Sequence, residues 1–214
     1  EISAESITEN PFDKADSVNQ LRKKILSVII EKLSKDSLKV VYLDSSASAK
    51  VNIGSGVTIA ADNDISVSST AKNESRVKLE AAKSLGVVIL SDTQSAITVA
   101  ENAVLSAGGN LALSASAENK ISAKGSSVSS KEKGHDSNTS IALMYGELSG
   151  KTQVSVAQNT QLNAGNNVAL KATTTLENSV SAETKSKDSS FAGAAIALAF
   201  SEVENEVYSD GKIS

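Results

Sequence analysis

The sequence predicts an all-β chain folded as a parallel β-helix, or β-solenoid, with one amphipathic α-helix inserted near its N-terminus. Three observations carry this. Blocks of alternating apolar and polar residues recur in the same register, and turn-forming residues separate the strands inside each block. The apolar mass comes from Ala, Val, Ile and Leu, with only three Phe, three Tyr and no Trp in 214 residues. Such a composition suits a thin core built in repeated layers better than one large globule.

The first ten residues are polar and resemble the end of a preceding repeat. The chain opens on Glu1 and stops at Ser214 in mid-repeat, so it is expected to be part of a longer polypeptide. Over residues 16–35, Val18, Leu21, Ile25, Val28, Ile29 and Leu33 recur at helical spacings of three and four. Asp16 suits the N-cap behind Pro11, while Lys23, Lys24, Glu31, Lys32 and Lys35 fall on the opposite face. This helix is expected to be an insertion lying against the solenoid wall, either covering the core or serving as a capping or partner-binding element.

Repeat blocks fall near 38–73, 86–119 and 140–178, with a partial block from 193. Without gaps, Ile53, Val99 and Val156 correspond, as do Ile59, Leu105 and Leu162, then Ile65, Leu111 and Val168, then Val67, Leu113 and Leu170. Each block reads as short strands of period two. The separators Gly54-Ser55-Gly56, Asp62-Asn63-Asp64, Gly108-Gly109-Asn110 and Gly165-Asn166-Asn167 tolerate positive φ or hydrogen-bond to their own backbone. Strands of three to five residues with tight bends are therefore expected. Upstream of the blocks, residues 38–43, 86–90, 140–145 and 193–200 are apolar on both faces, the signature of a strand covered on both sides. In the last copy Gly193, Ala195, Ala197 and Ala199 form a small face, opposite Ala194, Ile196, Leu198 and Phe200, so a close neighbour is expected on the small side. Counting both elements gives two rungs of roughly 20–28 residues per repeat, a size that suits a solenoid.

The formal net charge of −4, with both signs interspersed, argues against nucleic acid or an anionic membrane surface as a partner. There is no Cys, so stability has to come from stacking rather than disulfides. No window approaches the roughly 18 apolar residues of a membrane span, and direct membrane insertion is not expected.

No catalytic constellation is apparent. The single His, His135, sits in a polar loop with no apolar anchor, and the carboxylates at Glu74, Glu80, Glu101, Glu118, Glu147, Glu177 and Glu183 are expected to be scattered through loops. Neither arrangement gives the converging acid and base groups that a polysaccharide lyase or hydrolase needs. The strongest metal candidate is Asp62 with Asp64, whose oxygens at a turn are of the kind that binds Ca²⁺. The equivalent turns in the other blocks lack carboxylates, so turn chemistry is the reading preferred and no cofactor is expected. Gly54-Ser55-Gly56 lacks the following Lys-Ser/Thr of a phosphate loop. The loop 124–138, with Lys131, Lys133 and His135, is the most ligand-like protrusion.

The runs 157–170 and 104–115, together with the Ala-rich 193–200, resemble the rungs of very large repetitive bacterial surface and exported proteins of the filamentous-haemagglutinin-like type. That resemblance implies a right-handed β-helix, an extracellular or cell-surface location, and adhesion or cell contact for the whole protein. On it, this segment is expected to be a non-enzymatic structural stalk or spacer whose partners are neighbouring repeats of the same chain. The alternative it leaves open is an adhesive module binding a host or neighbouring-cell glycan or protein through loop 124–138 or the inserted helix. The 16–35 helix departs from the family's plain rungs.

Overall fold

A computed structural model describes residues 38–82, 84–129, 139–186 and 192–214. The amphipathic segment 16–35 and the candidate residues Lys131, Lys133 and His135 lie outside the described residues. Within them the chain is all-β, in eleven strands: β1 (Leu38–Ile53), β2 (Thr58–Ala61), β3 (Ile65–Ala82), β4 (Ser84–Val99), β5 (Val104–Ala107), β6 (Leu111–Ser129), β7 (Thr139–Val156), β8 (Gln161–Ala164), β9 (Val168–Ser186), β10 (Ala192–Ser209) and β11 (Lys212–Ile213).

Every pairing is parallel and joins a strand to the one three elements further on. The result is three sheets, here called A (β1-β4-β7-β10), B (β2-β5-β8-β11) and C (β3-β6-β9). One tier is thus β1-β2-β3, the next β4-β5-β6, then β7-β8-β9, with β10 and β11 opening a fourth. Partners on successive tiers lie 46, 57 and 53 residues apart. The columns set in correspondence from sequence are ladder partners: Ile53 with Val99 and Val156, Ile59 with Leu105 and Leu162, Ile65 with Leu111 and Val168, Val67 with Leu113 and Leu170.

The expected strand length is wrong. Seven strands run for 16–19 residues, and only the sheet B strands are short. Each upstream apolar run continues unbroken into the block that follows it, so a repeat makes one tier rather than two rungs. Sheets A and C pack face to face, and sheet B closes one end. The small face of β10 is its inner one, in line with the buried residues Ser140, Ala142 and Met144 of β7.

Two apolar clusters fill the space between the sheets. One, beside sheet B, contains Ile97, Val99, Leu105, Leu111, Leu113 and Leu162; the other, at the far end, contains Leu85, Val87, Ile89, Ile121, Met144 and Leu148. A polar seam separates them. Asn73 Nδ2 donates to Ser45 Oγ (3.1 Å) and Ser91 Oγ (3.0 Å), and Ser91 Oγ donates to Asn119 Oδ1 (2.6 Å). Asn119 Nδ2 in turn reaches the backbone oxygens of Ser91 and Ser149, both at 2.9 Å. These bonds satisfy the buried amides and join the two sheets.

The corners stack as regularly as the strands. Gly56, Asn102 and Asn159 form a column at the first corner, with φ of 69°, 61° and 57°. At the second corner glycine serves a different need, which is room. A Cβ on Gly108 would lie 2.0 Å from the Asp62 carbonyl oxygen, and one on Gly165 2.1 Å from that of Gly108.

Candidate interaction surface

Because the inner faces are filled, any site for a ligand has to use an outer face or a corner. The outer face of sheet C is a charge ladder. Lys72 pairs with Glu118 at 2.8 Å, Lys120 with Glu177, and Lys124 with Glu183 at 3.8 Å, each across one tier boundary. On sheet A, Lys151 Nζ donates to Glu204 at 2.6 Å, which raises the Lys151 pKa. Arg76 Nε donates to Glu74 at 2.7 Å along one strand, and that hydrogen bond holds the Glu74 carboxyl below the usual carboxylate range. Lys72, Glu74, Glu118, Lys120 and Glu177 rim a shallow open groove on sheet C. Here the carboxylates face cations, not one another.

These pairs are exposed and screened by solvent, so each adds little to stability. Their larger effect is on register, because a slipped tier would set like charges side by side. Glu74, Glu118, Glu177 and Glu183, expected in loops, lie on strands instead. The signal was present: Glu118 lies one tier offset beyond Lys72, and Glu177 one beyond Lys120.

At the second corner, Asp64 Oδ1 accepts from the backbone N–H of Asn110 (2.6 Å) and from Asn110 Nδ2 (3.2 Å). Asn167 Nδ2 then donates to Asn110 Oδ1 (3.2 Å), extending a ladder of turn-capping side chains through three tiers. Asp64 is therefore engaged in fixing the corner, while Asp62 is exposed and supplies its backbone oxygen to the close approach of Gly108. Among the described residues no three His, Asp or Glu come together as a metal site. Of the candidate loop 124–138, residues Lys124 to Ser129 belong to β6 and only 130–138 lie outside the described residues.

The outer face of sheet A differs. Toward the start of β1 it is apolar, carrying Val40 and Tyr42 on β1, Val88 on β4, Tyr145 on β7, and Ile196 and Leu198 on β10. Tyr145 and Phe200 stack with ring centroids 5.4 Å apart. Further along the strands the same face turns acidic at Asp92, Glu202 and Glu204. Sequence reading found the two-sided apolar runs but could not say which side faced outward.

No protein-family model matches the chain, and no curated protein or solved structure is significantly similar to it.

Proposed function

We propose that this chain is a segment of a right-handed parallel β-helix and serves as a structural stalk or spacer in a large secreted or cell-surface bacterial protein concerned with adhesion or cell contact. One observation carries the reading: strand pairing repeats tier after tier in all three sheets, so a single backbone hydrogen-bond ladder runs along the stack through strands and corners alike. A stack of this kind lengthens by adding tiers, each stabilised only when neighbours cover it. Its outer charges are used in pairing tier to tier, as in the Lys72–Glu118 contact, instead of converging on a cavity.

Excision of one tier tests this. Deleting residues 84–140 removes one period and brings the start of β7 to the place of β4 beside β1. A spacer is expected to refold with the same strand spectrum and a cooperative transition, and when displayed on a cell to keep whatever adhesion the parent shows. Loss of adhesion to a glycan or protein surface by a folded deletion variant would instead establish a discrete binding module within tier two.

A further inference from the structure

Sheet C is one strand shorter than sheets A and B at the fourth tier. That tier holds β10 and β11, yet among the described residues no strand lies against the free edge of β9. The inward residues Val168, Leu170, Ala172 and Val180 are accordingly half-buried, while their column partners Leu111, Leu113, Ala115 and Ala123 are buried. Across the gap stands the inner face of β10, where Val203 and Val207 are 52% and 48% exposed. Two hydrogen bonds fix β10 against β9: Thr174 Oγ1 donates to Asn205 Oδ1 (2.7 Å), and Asn178 Nδ2 donates to the Phe200 backbone oxygen (2.8 Å). The result is a slot one strand high, with β10 as its wall and a long, regular strand edge as its floor.

Taking tiers as the unit of growth, as the spacer reading does, we propose that this slot accepts a single parallel β-strand from a partner polypeptide, selected by volume, by a polar seam and by charge. Volume comes first. Gly125 lies against Leu85 and Met144, and the columns of those two residues reach Ala195 and Ala197 on β10. Against so small a wall, the incoming residue in the Gly125–Ala182 column has to be large to fill the space. The seam comes next. Asn73 meets Ser45 and Asn119 meets Ser91; tier three replaces the pair with Leu148 and Leu176, and Ser201 restores serine at the fourth. An Asn beside Leu176 would stand to Ser201 as Asn73 does to Ser45. Charge completes the set, because Glu74, Lys120 and Glu177 alternate along one outward column, which a cation beside Glu177 continues. A strand reading Asn-Lys-x-x-x-x-Leu meets all three requirements. A second copy stacked in tandem cannot bring its β3 here, because its β1 would need the place that β10 holds.

A suitable probe is a labelled peptide of the β3 sequence, residues 65–82, carrying Glu74→Lys and Glu80→Lys. In the ladder register it sets Asn73 beside Leu176, Leu79 beside Ala182, and the two new cations beside Glu177 and Glu183. Mixed with the full-length chain, it is expected to bind saturably and to slow hydrogen exchange along β9. Ala197→Leu in the chain, at an exposed position, should weaken binding about tenfold by filling the slot, and Leu79→Ala in the peptide should recover most of that loss. Exchanging Lys78 and Leu79 in the peptide turns the leucine outward and should also weaken binding about tenfold. No saturable binding by the folded chain, equal binding of the exchanged peptide, or exchange protection confined to β1 and β3 overturns the proposal. So does a dimeric chain whose β9 amides are already protected, which makes a second copy the occupant. If the peptide fails while the tier-deleted variant still refolds, the spacer reading stands and the slot alone is refuted.

Discussion

Leu105→Ala puts the stacking principle to its strictest test. Leu105 is fully buried at the centre of sheet B, with Ile59 one tier away and Leu162 on the other side, among Ile53, Val99, Leu111 and Val156. Truncation removes three buried carbons and leaves a cavity that the neighbours cannot easily fill, because each is held in its own hydrogen-bonded tier. The loss is therefore expected near the upper part of the range for buried leucines, about 3–5 kcal/mol. Ile213 occupies the same column at its end and is half-exposed, so Ile213→Ala should cost below about 1 kcal/mol. Urea unfolding of both variants, followed by circular dichroism, compares one column position with and without a covering tier. If the two losses agree within about 1 kcal/mol, burial by neighbouring tiers is not what stabilises the stack.

The other predictions concern corners, seam and charge. Gly108→Ala should destabilise markedly, since its Cβ would meet the Asp62 backbone, whereas Gly56→Asn should be close to neutral because Asn102 and Asn159 hold the same positive-φ column; thermal melts distinguish them. In tier three Leu148 and Leu176 stand where tier two has Ser91 and Asn119. Asn119→Leu alone should cost about 1–3 kcal/mol, and most of that should return when Ser91→Leu is added, as a double-mutant cycle in urea would register. Among the described residues Thr93 Oγ1 is buried without a partner, so Thr93→Val should raise the melting temperature. The hydrogen bond from Arg76 depresses the Glu74 pKa in the folded chain. Its small contribution is thus present above the ordinary carboxylate value and fades as pH falls through the folded one. Arg76→Ala should move the Glu74 titration upward in an NMR experiment.

Register was legible in the sequence because it depends on columns of large aliphatic residues, and a one-residue slip would turn Ile53 or Leu111 to the outside. Strand length was not legible. The inner positions between the two clusters are Ser45, Ser69, Asn73, Ser91, Thr93, Ser95 and Asn119, so the apolar alternation lapses in mid-strand although the strand does not. Ser and Asn favour turns when their hydrogen bonds are local, so nothing in the pattern marks the strand as continuing. Here the bonds are instead made across the sandwich, as from Ser95 Oγ to Ser69 O at 2.9 Å, and no local pattern announces that. The same blindness hid the charge ladder, whose partners are 46, 57 or 59 residues apart in sequence and adjacent only in the sheet.

The long tier changes what a stack of this kind does well. Adding one tier consumes 46–57 residues and raises the stack by about 4.8 Å, near a tenth of an ångström per residue. An α-helix gains about 1.5 Å per residue, so reach alone does not justify this architecture. Strands of 16–19 residues run about 55–60 Å across the stack, and two such sheets joined through a packed core resist bending far better than a narrow rod. The breadth also creates two wide outer faces of different character, one laddered with paired charge and one carrying an apolar patch. A spacer built this way is a lath rather than a thread: it holds its direction and offers flat area to whatever lies alongside. The apolar patch is the part of that area most costly to leave wet, so of the two faces it is the one on which burial against a neighbour would stabilise most.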